Sequence, residues 1–345
     1  MEAISLRSIK KESIKNIFNS ITSTDKISRF EISRQTGLSL MTVGKVVDAL
    51  LSIGVVKQEK EQSYTAGRKA GLISISTTHY AIVIDLTERN FTMSLIDISL
   101  RLSDSMTYTY NSSYYYDENL YIFLKNVATY ISHRSDIENL IGIGVSVPGV
   151  YIAGEDKIIS TKMPELNSIN IKQIVEGILK RDVDIIIKNV EAAAISNVKL
   201  LQNYDNRVVI YMFMGDSVDG AVFNNGSIIK GAHGFECDFG NMILRFGESL
   251  EQRINRSVSD EMIANELSSA VYNIITILDP DTFIIESELS REPDFLINQI
   301  KESLVNSFGI TAERMPEFRN GICDFRHSSR GIVIKLREKW LDNII

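Results

Sequence analysis

The amino-acid sequence predicts an α/β protein in which a small all-α head, of helix-turn-helix type, precedes a larger body of alternating strands and helices. Two observations carry this. Within residues 28–54 two short helical patterns meet at Gly37, the layout of a helix-turn-helix. After residue 76 the apolar pattern changes to short β-type runs separated by helical stripes, as in layered α/β domains.

The head is marked at each step. Ser28 with Glu31 three residues on makes a capping box for the first helix, and Ser39 stands where it caps the second. In the second helix Val43, Val46, Val47, Leu50 and Leu51 recur at helical spacing as one apolar face, leaving Met41, Thr42, Lys45 and Asp48 on the other. Upstream, Ile14, Ile17, Phe18 and Ile21 give a third amphipathic helix to close the core. Val55–Gln58 and Leu72–Ile75 read as two strands around a polar loop, Glu59 to Arg68, which makes the motif a winged one. Small helical bundles also show such stripes, but here the charge agrees with the fold. Residues 1–70 hold 12 Lys+Arg against 7 Asp+Glu, net +5, whereas residues 71–345 hold 25 against 37, net −12. The only positive region is therefore the helix-turn-helix, which presents that end to phosphates and keeps the acidic body away from them. The candidate contacts to double-stranded DNA are Arg29, Gln35, Thr36 and Ser39 around the turn, and Met41, Thr42 and Lys45 on the reading helix. Arg68 and Lys69 join them at the end of the wing, where Gly67-Arg68-Lys69 is either a groove or backbone contact or a solvated linker. One short reading helix touches too few bases for specificity, so a homodimer or a dimer of dimers is expected.

At 345 residues and 44% hydrophobic content, the chain fills a large core and divides into two or three domains. No apolar leader or ~20-residue apolar span stands in it, which points to a cytoplasmic protein without a membrane partner. Cys237 and Cys323 lie far apart and four histidines are scattered, so buried reduced thiols are expected, with no disulfide framework and no metal site.

In the body, residues 81–85, 92–96 and 100–110 read as consecutive strands, followed by a helix near 118–132 and a strand at 140–147. A helix at 171–179, a strand at 183–187 and a helix at 192–201 complete a first half. A second half has strand 208–214, a hairpin around Asn224-Asn225-Gly226, a long helix at 259–278, strand 282–285 and a helix at 294–306. The tyrosines at 108, 110, 114, 115 and 116 read as side chains packed half-buried on a sheet. The segment Gly331 to Asp342 reads as a terminal helix docking back on the first half.

Several segments, in order, resemble the ROK group of repressors and sugar kinases: the winged helix-turn-helix with Gly67-Arg68-Lys69, Ile143-Gly144-Val145-Ser146-Val147-Pro148-Gly149, Asn189 to Ala194, Gly226 to Gly234, and Leu278 to Ile285. The resemblance runs over nearly the whole chain and implies a two-lobed, actin-like (ribonuclease H-like) ATPase-type body behind the winged helix. The expected division is 1–76 for the head, 77–195 for the first lobe, and 196–328 for a second lobe serving dimerisation and effector binding, with a helix at about 329–345 returning to the first lobe.

The chain departs from the kinase members of that family at their working positions. The family's first phosphate turn, Asp-x-Gly-Gly-Thr, is Asp85-Leu86-Thr87-Glu88-Arg89, and its second, Gly-Thr-Gly-x-Gly, is Gly215-Asp216-Ser217-Val218-Asp219. Only a backbone without side chains approaches phosphates so closely. The added carboxylates of Glu88, Asp216 and Asp219 should oppose a triphosphate. The Gly-Gly pair beside adenosine is Glu286-Ser287, and the aspartate that takes the sugar's proton is replaced by Val190, which cannot be a base. The family's sugar contacts fall on Lys162, Asn189, Asp238, Asn241 and Glu251, most of them altered in type. These five are the candidate ligand residues for a sugar or sugar phosphate effector. The family's zinc loop has no counterpart between Leu244 and Glu251. The expectation is a transcription regulator, a repressor of carbohydrate-related genes, with an inactive kinase-like sensor and no cofactor. The alternatives are an ATP-dependent sugar kinase that kept a winged helix, and a regulator whose body only dimerises and binds protein partners.

Overall fold

The computed structural model describes residues 2–60, 71–87, 90–199, 201, 204–215, 217–245, 247–290, 292–322 and 327–344. In the head, helix α1 (Glu2–Thr22), strand β1 (Ile27–Ser28), helices α2 (Arg29–Thr36) and α3 (Leu40–Ser52), and strands β2 (Val56–Lys60) and β3 (Gly71–Ile75) follow one another. The strands pair antiparallel in the order β1-β3-β2. The capping box is formed: the Glu31 amide donates to Ser28 Oγ at 3.2 Å and the Ser28 amide donates to Glu31 Oε2 at 2.9 Å. Ser39 Oγ likewise accepts from the Thr42 amide at 3.1 Å. Between the helices the chain must reverse in a few residues, and Gly37 does so at φ +69°, a conformation other residues resist. Val43, Val47 and Leu50 close on Ile17, Phe18, Ile21 and Ile32, all buried.

The first half of the body holds β4 (Tyr80–Leu86), β5 (Asn90–Asp97), β6 (Leu102–Thr109), α4 (Tyr116–Ser132), β7 (Leu140–Val147), β8 (Val150–Ile152), β9 (Lys157–Ile159), α5 (Ile171–Leu179), β10 (Ile185–Lys188) and α6 (Asn189–Val198). Its sheet runs β10-β7-β4-β5-β6, with β10, β7 and β4 parallel and β5 and β6 antiparallel. The second half holds β11 (Val208–Met214), β12 (Val218–Asn224), β13 (Ser227–Ile228), β14 (Ile243–Arg245), β15 (Glu248–Ser249), α7 (Leu250–Ile254), α8 (Asp260–Leu278), β16 (Thr282–Ser287), α9 (Pro293–Asn306), β17 (Glu317–Asn320) and α10 (His327–Ile344). Its sheet runs β13-β12-β11-β16-β17, in which β11, β16 and β17 are parallel.

Both central strands are largely apolar because both faces are covered, with Asp85 near the end of β4 as the exception. In β4, Ile82 and Ile84 pack with Phe123 and Leu124 of α4, while Ala81 and Val83 belong to a core shared with α10 and the head. In β11, Ile210 and Met212 pack with α8 and α9, while Val209 and Tyr211 meet α6. Helices α6 and α10 thus lie between the two sheets and touch at backbone distance. A Cβ on Gly331 would stand 1.7 Å from the Ala192 carbonyl oxygen. At its other end α10 carries the head: Arg337 lies 4.9 Å over the Phe18 ring, Trp340 packs on His79, and Asp342 accepts Lys15 at 3.5 Å.

Several details differ from the sequence expectation. Helix α6 starts at Asn189 rather than 192, so a division at 195/196 falls inside it. The third strand starts at 102 because Leu100 sits in a tight turn at φ +70°. The tyrosines split: Tyr116 is buried against Phe91, Tyr108 and Tyr110 are half-buried, and Tyr114 and Tyr115 are exposed. Cys237 is half-buried rather than buried, and its burial pushes the thiol up to about 11. Cys323 lies outside the described residues. Among the described residues no helix is long and apolar enough to cross a membrane.

Two substitutions test this packing. Val47→Asp strands a charge in the head core and should unfold the head, seen as loss of amide protection across α2 and α3. Gly331→Ala must separate α10 from α6 and should cost about 1 to 3 kcal/mol by denaturant titration.

Candidate functional site

Two regions carry the expected functional residues. On the head, Met41 is 72% exposed and Lys45 is exposed at the start of α3, with Thr42 beside them, its hydroxyl 2.9 Å from Ser39 Oγ. Arg29 is bound to Asp48 at 2.6 Å and Gln58 at 3.3 Å, which ties α2, α3 and the wing together. The Gln35 carbonyl accepts from the Ser20 hydroxyl, and the Thr36 hydroxyl donates to the Ile32 carbonyl at 2.7 Å. Of the expected set, Met41, Thr42 and Lys45 share one exposed face, whereas Arg29, Gln35, Thr36 and Ser39 also brace the head itself. Arg68 and Lys69 lie outside the described residues. Sequence reasoning missed Phe30 and Leu40, 66% and 53% exposed near the same face. Their signal is an apolar residue placed off the buried stripe.

In the cleft between the lobes, the end of β4 brings Asp85 to three donors: Ser146 Oγ at 2.8 Å, Asn189 Nδ2 at 3.3 Å, and the Ser328 hydroxyl from the start of α10. Asn189 Nδ2 also donates to the Leu86 carbonyl at 2.9 Å, and its Oδ1 is buried with no hydrogen-bond partner among the described residues. Next to it Val190 is buried in the α6 packing.

Across the cleft, lysines meet carboxylates of the opposite lobe. Lys188 at the end of β10 lies 2.7 Å from Asp219 of β12, both largely buried. Lys162 lies 2.8 Å from Glu251, whose other oxygen accepts the Val218 amide at 3.1 Å. Lys230 bonds Glu191 of α6 and stands 3.4 Å from Glu236. Asn241 donates to Asp238 at 2.7 Å. Of the five candidate ligand residues, then, Lys162 pairs with Glu251 and Asp238 with Asn241, and Asn189 is tied to β4.

The expectation that Asp219 repels a triphosphate is thereby corrected. Its carboxylate is matched by Lys188, so the position is occupied by an ion pair rather than by a lone charge. Burial still holds the Asp219 carboxyl above the usual carboxylate range, with the lysine acting against it. Glu88 and Asp216 lie outside the described residues. At the position the family keeps as glycine beside adenosine, Glu286 is buried and accepts from Tyr211 at 2.8 Å and Asn197 at 3.0 Å.

The ROK family pattern matches residues 82–254. The chain belongs to the ROK family. It is 25% identical over 244 residues to the xylose repressor of Bacillus subtilis, an alignment covering 69% of this chain and 62% of that protein. The match thus spans less than two thirds of that repressor's length. A crystal structure described as a ROK family transcriptional regulator, homolog of the E. coli MLC protein, superposes with a TM-score of 0.71 at 12% identity, over 97% of this chain and 98% of that one. A ROK family glucokinase from Streptomyces griseus, solved with glucose and AMPPNP, superposes at 0.56 and 13% identity, over 75% of this chain and 99% of the kinase. These superpositions show the expected fold, an actin-like body shared with sugar kinases and, in the regulator, the additional head.

Breaking one half of a cross-lobe pair tests the cleft. Lys188→Met leaves Asp219 buried without its cation and should cost about 3 kcal/mol at pH 7. Because burial raises the folded-state pKa of the unpaired carboxyl, protonation favours the fold, so the deficit should shrink as pH falls toward 4. Adding Asp219→Asn should recover most of the loss in thermal denaturation.

Proposed function

We propose that this protein is a transcription regulator, a repressor of carbohydrate-related genes, that reads duplex DNA through α3 and carries a kinase-like body without kinase activity. The observation that carries it is the exposed face of α3, with Met41, Thr42 and Lys45 presented outward by a doubly capped head within residues 1–70, which carry a net charge of +5. Such a helix fits the major groove, and the head's positive charge supplies the phosphate contacts that position it. The similarity to a protein named xylose repressor supports the same reading. A homodimer places two reading helices on half-sites about one helical turn, ~34 Å, or a multiple of it apart.

Loss of kinase activity follows from the catalytic position. Val190 offers no base, and general-base catalysis is worth roughly 100- to 10,000-fold. The cross-lobe pairs add a second obstacle, because a sugar or nucleotide entering the cleft must displace Lys162 from Glu251 or Lys188 from Asp219. A sugar effector that does enter competes with these pairs, which makes the cleft's closure sensitive to it.

Binding to a selected operator duplex, followed by fluorescence anisotropy, should weaken steeply between low and moderate salt. Lys45→Ala or Thr42→Ala should lower operator affinity about tenfold while circular dichroism stays unchanged. Salt-independent binding, or parental affinity in both variants, would contradict the reading. In a coupled assay the protein should form no ADP above background with any hexose, and Val190→Asp alone should not restore turnover.

A further inference from the structure

A second cleft, about 1340 Å³, opens between the head and the body. One wall is the C-terminal end of α1 with Ser74 and Ile75 of β3, and the other is the turn at 99–101 with the ends of α6 and α10. The cleft is lined by a buried charge that forms no ion pair among the described residues. Arg337 is only 8% exposed, yet among the described residues its guanidinium makes no ion pair. It donates to the Ile98 carbonyl at 2.8 Å and lies over the Phe18 ring. Glu338 offsets part of the burial cost from a distance, but among the described residues no carboxylate touches the guanidinium, and an anion beside it would lower that cost further. Burial accordingly pulls Arg337 down to about 10. Arg101, Lys199 and Arg330 line the same cleft, with Asp25 and Asp205 as opposing carboxylates. Lys199 is itself engaged by Glu338 at 3.1 Å and Tyr204 at 2.8 Å.

A second observation points independently to a ligand. Ser74, 7% exposed on the head wall, has a buried hydroxyl with no hydrogen-bond partner among the described residues. Around it the wall is rich in hydroxyl and amide groups, among them Asn16, Asn19, Ser20 and Thr24. The head wall also carries Lys26 and Lys57, both paired with Glu59, so the buried cation lies on the body side and hydroxyl and amide groups predominate on the head side, which suits a molecule with one anionic end and several hydroxyls.

We propose that this cleft binds a sugar phosphate, its phosphate toward Arg337 and Arg101 and its hydroxyls toward Ser74 and the α1 end. Bound there, the ligand touches head and body at once, so its occupancy sets how the head sits on α10 and how far apart two reading helices stand in a dimer. The binding site stands on the chemistry of the cleft alone. It is read without DNA, so its failure leaves the DNA reading untouched.

The test is calorimetry and thermal shift on the full chain with glucose 6-phosphate, xylose 5-phosphate, inorganic phosphate, glucose and xylose. A sugar phosphate should bind and raise the melting temperature, inorganic phosphate should bind more weakly, and the free sugars should bind least. Arg101→Ala, on the exposed wall, and Arg337→Gln, which keeps a donor for Ile98, should each weaken binding about 10- to 100-fold. Should Arg337→Gln fail to fold, Arg101→Ala and Ser74→Ala carry the test. No binding by any of the phosphates overturns the proposal. Binding that survives these variants but is lost in Asp238→Ala overturns it too, because the ligand then sits between the lobes.

Discussion

The close contact of α10 with α6 is the constraint on which the rest of the architecture depends. Gly331 lets the two backbones meet at Ala192, and from that point α10 runs between the first-lobe sheet and the head. One end of the helix places Ser328 on Asp85 in the cleft, and the other places Arg337, Trp340 and Asp342 on the head. A helix that touches both regions is a rigid path between them. Helix α10 thus touches both the cleft and the head that carries α3.

The cleft between the lobes is lined by groups that pair with one another. At the ends of β4, β10 and β12, where the family's kinases meet their substrates, this chain pairs its own groups: Asp85 with Ser146 and Asn189, Lys188 with Asp219, Lys162 with Glu251. Asp85, Lys188 and Lys162 are engaged within the protein, while Asn189 Oδ1 stays without a hydrogen-bond partner among the described residues. The lobes are joined by ion pairs, Lys188 with Asp219 and Lys162 with Glu251.

The head was legible in the sequence because its signals are local. Ser28, Glu31, Ser39 and Gly37 act within four residues of themselves, and all take the predicted roles. The central strands were legible because burial on both faces leaves an apolar run, broken in β4 only near its end by Asp85. Edge strand β17, Glu-Phe-Arg-Asn, was not, since only Phe318 is buried and its neighbours are polar. The start of α6 was missed because Lys188 at its N-cap gives no side-chain cap. The cross-lobe pairs were invisible for a different reason: Lys162 and Glu251 are 89 residues apart, and only the fold brings them together. Resemblance pointed to Lys162 and Glu251 one by one, but not to their pairing with each other.

The claim that α3 is the surface by which this chain meets DNA is tested most directly by photo-crosslinking. A selected operator duplex carrying 5-bromodeoxyuridine in each half-site is irradiated with the full chain, and the attached peptide is sequenced. The account predicts attachment within residues 40–45. Attachment confined to the acidic body, or none at saturating protein, would contradict it.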